Sequence, residues 1–384
     1  MSSTLLDPRV LDASNLIPKT AADIYLPIAI EGQADTVGTA AIATPATFTR
    51  VDQANDAFGP ASVLTSLISA VLTAGAGPVI AACSAKGTAP TLVQRQAVWE
   101  KFESDPTIRL RLTGSELQAD LVALAQSAAN ADLLYNKQIA LGGLAAGTTK
   151  ANLITAATAI AGGSPQLVPQ ATRFVLVGPG VYDSLGTLRG GSFAAAYAAA
   201  EIAKNADPTN DLDLWVIPSL SGIEVDSFGL PLFRRKVVSG TAVDDFEDLL
   251  QGGVSPLQPS RVAGGVATTH LRTVYTTNGA YDALYTRVIV DQVFIDVRNY
   301  IYDSEYLRQP NSESTREHIR SGVAAILAER GEWIQPITQP DGTQGYSVNV
   351  TSSTDNRQVT VGYSGVVRRG ISTIKVAANL TIPV

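Results

Sequence analysis

The spacing of apolar positions changes along this chain, and the changes divide it. Residues 1–22 show no regular period. Leu5, Leu6, Val10, Leu11, Leu16 and Ile17 are scattered around Pro8 and Pro18, which disfavour helix. This stretch predicts an extended N-terminal arm that is disordered or packs on something else.

From 23 to 218 short apolar runs alternate with helical spacings. Strands are predicted at 25–30, 37–42, 78–83, 108–112, 133–141, 173–177 and 214–217. Helices are predicted at 61–73, 91–103, 116–129, 150–161 and 192–204. In the first of them Val63, Leu64, Leu67, Ile68, Val71 and Leu72 fall at helical spacing, and Ser115 or Thr113 is the expected cap of the third. Alternating strands and helices predict an α/β domain, a parallel or mixed sheet covered by helices.

Beyond 218 the pattern becomes α+β. A short helix is predicted at 244–250, closed by Gly252-Gly253, then strand-like alternation at 262–275. A long helix at 281–302 carries Tyr281, Leu284, Tyr285, Val288, Phe294, Ile295 and Val297 mostly along one side. Ser314 and Glu317 form the expected capping box of a second helix with the stripe Ile319, Val323, Ile326 and Leu327, stopped by Gly331. Two alternating strands follow, 346–350 and 358–363, around a polar turn.

The chain ends on a strict period of two. Ile374, Val376, Ala378, Leu380, Ile382 and Val384 alternate with Lys375, Ala377, Asn379, Thr381 and Pro383. Such a strand spans ~36 Å, and a long alternating strand is an aggregation hazard unless paired. It either completes a sheet of its own subunit or adds to the sheet of a neighbour.

Composition narrows the choice of function. The chain has 384 residues, enough for two or three domains, with 45% hydrophobic and 16% charged positions. Its net charge is −7 and it has no long basic run, so nucleic acid is not an expected partner. Cys83 is the single cysteine, which excludes an intrachain disulfide. The first residues carry Asp7, Arg9 and Asp12 and do not read as a secretory signal. The uncharged stretches 57–85 and 151–172 are broken by Gly and Pro, so no membrane span is expected.

Candidate chemistry is sparse. His270 and His318 lie in different elements, without the spacing of a zinc site. Cys83 follows Val79 and Ile80 in an apolar strand and reads as a buried, inert thiol. Gly178-Pro179-Gly180 follows a strand but lacks the full phosphate-loop pattern, and Pro179 removes a donor. Asp244, Asp245, Glu247 and Asp248 read as the solvated first turn of a short helix. No catalytic constellation emerges, and neither a cofactor nor a metal is expected. An α/β enzyme or ligand-binding protein stays as an alternative; it would need convergent polar groups in a pocket.

Several stretches, in order, resemble contractile phage tail sheath proteins of the myovirus type, the Mu-like sheath family. They are Gly38-Thr39-Ala40 with Val51-Asp52-Gln53-Ala54-Asn55-Asp56-Ala57-Phe58-Gly59, and an Ala-rich helix leading to Ala206-Asp207-Pro208. Then come Leu249-Leu250-Gln251-Gly252-Gly253-Val254-Ser255, Thr273-Val274-Tyr275-Thr276-Thr277-Asn278-Gly279-Ala280-Tyr281-Asp282, and 316–384. The resemblance covers about two thirds of the chain; 92–172 lies where sheath proteins vary.

The resemblance implies a structural subunit, not an enzyme, stacked in six-fold rings around a tail tube. It implies an N-terminal arm (1–22), an α/β domain (23–218) whose part 92–172 is variable and outward-facing, a C-terminal α+β domain (219–370) and a C-terminal strand arm (371–384). The arms would add strands to adjacent subunits through Leu5, Leu6, Val10, Leu11, Leu16 and Ile17, and through Ile374, Val376, Leu380, Ile382 and Val384. Arg316, Glu317 and Arg320 are the implied tube contact. The implied partners are the tube, baseplate and tail terminator proteins, in a virion tail assembled in the bacterial cytoplasm. A baseplate or sheath-terminator protein is the nearest alternative.

Overall fold

The computed structural model describes residues 26–163, 169–205, 215–238, 241–260, 265–276, 283–303, 310–338, 344–352, 359–364 and 366–367. Along the first part run β1 (Ile28–Ala34), β2 (Ala46–Phe48), α1 (Val51–Phe58), α2 (Val63–Thr73), β3 (Val79–Lys86), α3 (Leu92–Glu103), β4 (Leu110–Thr113), α4 (Gln118–Leu133), β5 (Ile139–Gly142) and α5 (Lys150–Ile160). They are followed by β6 (Phe174–Gly178), β7 (Val181–Asp183), β8 (Leu188–Arg189), α6 (Gly191–Lys204), β9 (Val216–Ile217), β10 (Leu220–Ile223), β11 (Arg235–Val238), β12 (Thr241–Asp244), α7 (Asp245–Gln251), β13 (Val254–Pro259) and β14 (Val266–Thr268).

These strands build one large mixed sheet in the order β2-β3-β1-β4-β5-β6-β13-β14-β9. The six strands from β3 to β13 are parallel, and β2, β14 and β9 flank them antiparallel. Alternation along the strands separates two cores. Ile28, Ile30, Leu110, Leu112, Val175 and Val177 face α2 and α6; Ala29, Ala82, Ala140, Phe174 and Leu176 face α3, α4 and α5. Alanines let α6 approach closely, and at its start Gly191 meets Gly143: a Cβ on either would lie 2.6 Å or less from opposing backbone.

The remaining elements form a third cluster. They are α8 (Leu284–Asp303), α9 (Glu313–Glu329), β15 (Ile334–Gln335), β16 (Ile337–Thr338), β17 (Gln344–Gly345), β18 (Ser347–Ser352), β19 (Val359–Ser364) and β20 (Val366–Val367). Ile289, Val293 and Val297 of α8 pack against Ile319, Val323, Ile326 and Leu327 of α9, as their spacing predicts.

Several expectations fail for identifiable reasons. Residues 37–42 are not a strand. Lys86 Nζ donates to the Gly38 carbonyl at 2.7 Å and Ala43 N–H to the Cys83 carbonyl at 2.8 Å, so this segment wraps over β3 as a loop. The expected strand 133–141 shrinks to β5, because α4 continues to Leu133 and ends where Tyr135 takes φ +60. Neither Ser115 nor Thr113 caps α4; the cap position is Leu117, without a side-chain bond. Ser312, not Ser314, caps α9, accepting from Thr315 N–H at 3.1 Å. Strand β13 was not anticipated, since Pro256 and Pro259 argue against a strand interior.

Candidate assembly surfaces

Counted by occurrence, the parallel strands run 2-1-3-4-5-6, so the strand order reverses beside β1. In a doubly wound sheet ligands bind outside the carboxyl ends of the strands at that point. Here the position is filled from within. Glu31 of β1 stands opposite Ala82 of β3 and Thr113 of β4 and is fully buried. Arg95 of α3 donates to both of its carboxylate oxygens at 2.8 and 3.0 Å, Thr113 Oγ1 donates at 2.6 Å, and Ser84 Oγ donates as well. Arg95 Nε lies 3.0 Å from Asp120 of α4, which takes the Ser115 hydroxyl at 2.5 Å. Thr113 and Ser115 therefore join this network instead of capping α4. Burial lifts the Glu31 carboxyl above the ordinary glutamate range, and Arg95, Ser84 and Thr113 pull it back only in part.

The other features flagged by the sequence are also internally occupied. Glu224 accepts the N–H groups of Gly180, at 3.1 Å, and of Gly147, placing a carboxylate of the chain itself at the phosphate-loop-like turn. The acidic first turn of α7 is not simply solvated. Asp245 is buried and meets Lys150 at 2.8 Å and Lys236 at 3.0 Å, tying α7 to α5 and β11. Cys83 is buried, and burial pushes its thiol up. Among the described residues no group of His, Cys, Asp and Glu could hold a metal ion, and no helix is long and apolar enough to cross a membrane. A cavity of about 10 Å³ lined by Arg109, Lys137 and Asp291 holds at most one water.

The C-terminal unit carries a small sheet of its own. β18 and β19 pair antiparallel from Ser347↔Ser364 to Ser352↔Val359 and form a sheet of two strands. Val348, Val350, Val361 and Tyr363 press on the α8–α9 core, while Asn349, Thr351, Thr360 and Gly362 are exposed. Asn311 Nδ2 donates to Ser352 Oγ at 2.7 Å and pins β18 to the start of α9. Among the described residues these two strands pair as strands only with each other. The edge of such a sheet accepts another strand.

Arg316, Glu317 and Arg320 come together on the first turns of α9. Arg316 pairs with Glu313 at 2.6 Å and Arg320 pairs with Glu317. The hydrogen bond from Arg316 holds the Glu313 carboxyl below its usual range. The arm residues Leu5, Leu6, Val10, Leu11, Leu16, Ile17, Ile374, Val376, Leu380, Ile382 and Val384 lie outside the described residues.

A third set of contacts joins α8 to the large sheet, and sequence reasoning missed it. Arg173, fully buried ahead of β6, pairs with Asp291 of α8 and with Asp132 of α4 at 2.8 Å. Arg298 donates to the Tyr135 carbonyl at 3.0 Å, and the Tyr135 ring stacks on Phe294 with centroids 6.2 Å apart. Burial alone would raise the Asp291 carboxyl, but Arg173 and Arg287 outweigh it and hold it below the usual range. Isolated charges in apolar strands or helices, such as Glu31 and Arg173, were the available signal.

This fold, a large mixed sheet joined to a helix pair that bears a two-stranded sheet, is similar to that of sheath proteins of known structure. The chain is similar to a chain of the anti-feeding prophage helical sheath in its contracted state, with TM-score 0.65, 12% identity and 93% of each chain covered. It is similar to one from that particle's baseplate, with TM-score 0.66, 12% identity and 94% of each chain covered. The sheath tail protein of Listeria innocua gives TM-score 0.59 at 11% identity, over 94% of this chain and 98% of that one. No protein-family model matches the chain, and no curated protein matches it in sequence.

Proposed function

We propose that this chain is the structural subunit of a contractile tail sheath, which polymerises around a tail tube and contracts to drive the tube through a host envelope. The observation that carries the reading is the likeness to sheath chains over nearly the whole length of both partners. In this reading residues 1–22 and 371–384 are arms, 23–218 the α/β domain and 219–370 the C-terminal domain. The two-stranded sheet of β18 and β19 receives strands from neighbouring subunits, and the alternating terminal strand from Ile374 to Val384 is one such strand. Main-chain bonds of an added strand survive a rotation of the subunit body that breaks side-chain contacts. The mesh therefore holds while rings repack.

Contraction in this scheme draws on interfaces between subunits and needs neither nucleotide nor cofactor. Arg316, Glu317 and Arg320 face the tube protein. The carboxylates of their present pairs stand in water, where an ion pair contributes little, so exchanging partners costs little. Further partners are the baseplate and tail terminator proteins, and the site of action is a virion tail assembled in the bacterial cytoplasm. A baseplate ring component is a second reading, favoured by the likeness to the baseplate chain.

Electron microscopy of purified protein, full-length beside a version ending at Gly370, tests both. Long hollow cylinders from the full chain that vanish on truncation are expected. Single rings would favour the baseplate reading. A chain that stays monomeric at high concentration, with or without tube protein, defeats both.

A further inference from the structure

The carboxyl ends of β1, β3 and β4 converge on one end of the large sheet, where three loops meet the starts of α2, α3 and α4. Their proximity is documented by close contacts. Gly87 N–H donates to the Ala34 carbonyl at 2.8 Å, and Gly114 N–H to the Glu31 carbonyl at 2.7 Å. A Cβ at Gly114 would meet Val63 Cγ1 at 3.0 Å. Lys86 binds the 37–42 loop to the end of β3. At this end six large apolar side chains face water: Val37 (72%), Ile42 (53%), Val63 (37%), Leu92 (36%), Val93 (74%) and Leu117 (67%).

This end is also without charge. Segments 36–47, 60–63, 87–94 and 117–119 contain no Asp, Glu, Lys or Arg. Three of the ionic groups bordering them bond to the chain itself, while Asp56, beside the 37–42 loop, is exposed at the margin. Asp35 accepts from Ala61 N–H at 3.0 Å, Lys86 donates to Gly38, and Glu116 takes the Ser192 hydroxyl at 2.7 Å. The Glu31–Arg95–Asp120 network lies beneath.

We infer that this uncharged end of the sheet is a contact face for a second copy of the same chain, an inference that rests on the sheath reading above. The occupant follows from electrostatics. Each copy carries a net charge of −7, so two copies repel wherever unpaired charge of one sign meets itself. A face from which charge has been removed brings like-charged copies together without that penalty. It also releases water from exposed Val and Leu side chains as they become covered. A strongly charged partner would gain nothing from it. The network below fixes the loops that present the face, which gives the buried carboxylates a role besides filling a crevice.

The double variant Val93→Glu with Leu117→Glu tests this, because both side chains are mostly in water and their replacement leaves the core intact. Thermal unfolding of the dilute variant should match the wild type. Its assembly, followed by sedimentation and electron microscopy over a concentration series, should require roughly tenfold more protein or be lost, because two carboxylates would be desolvated in the contact. Thr107→Glu, at the opposite ends of the strands, serves as the control and should assemble normally. A double variant that assembles like the wild type overturns the inference and leaves the sheath reading standing. A wild type that never associates overturns both.

Discussion

Buried charge decides more of this structure than any single apolar contact. Glu31 contributes acceptors to Arg95, Ser84 and Thr113 in a site without water access. Truncating one member of such a group leaves the others desolvated and unpaired, which costs about 3–5 kcal/mol. Arg95→Ala is therefore expected to lower the free energy of unfolding in urea by that amount, whereas Arg50→Ala, whose partner Asp52 is exposed, should change it little. Little of this was legible in sequence. A glutamate in the run Ile28-Ala29-Ile30-Glu31 can be read as a solvated face, and its partner Arg95 is 64 positions away. Cys83 was legible because a small apolar residue between apolar neighbours has no competing reading.

Elements were legible where the apolar period is clear, as in α2, α3, α5 and α6, each found within about two residues of its expected bounds. They were not where a local bond outweighs the period, as in the loop that replaces the strand at 37–42. The capping of α9 shows the same competition at one residue. Ser314 and Glu317 fit the capping-box pattern, yet Ser312 occupies the cap after Pro310, and its hydroxyl accepts Thr315 N–H. Ser312→Ala should destabilise the C-terminal unit by about 1 kcal/mol, and Ser314→Ala by only a few tenths, in parallel urea titrations. Equal effects would move the cap. Gly322 makes a second element-scale case. A Cβ there would overlap the Tyr300 ring, whose hydroxyl donates to the His318 carbonyl at 3.3 Å, so Gly322→Ala should pry α8 from α9 and cost about 1–3 kcal/mol.

At the scale of the molecule the question is whether the α8–α9 unit and the large sheet move as one body. The proposed contraction requires subunits that rotate without bending, and the join adds polar contacts to the packing of Leu284 and Val288 on the sheet core. Arg173 pairs with Asp291, Arg298 reaches the Tyr135 carbonyl, and Phe294 meets Tyr135 and Lys137. The Asp291 carboxyl is held below its unfolded value of about 3.9, so the stability it contributes is present above that pH and lost as pH falls through its folded value. Glu31 has the opposite sign. Its carboxyl is raised, so its contribution is present in acid and lost as pH rises through its folded value. Acid therefore loosens the join and spares the switch-point network. Calorimetry should show one cooperative transition at neutral pH that splits in acid, the C-terminal unit melting first. Asp291→Asn should split the transition already at neutral pH, because it leaves Arg173 and Arg287 facing an amide in a buried site, and should remove the acid dependence of the first step. A single transition in the variant at every pH would mean that apolar packing alone holds the two units together, and that the ion pairs at Asp291 have no part in keeping the subunit rigid.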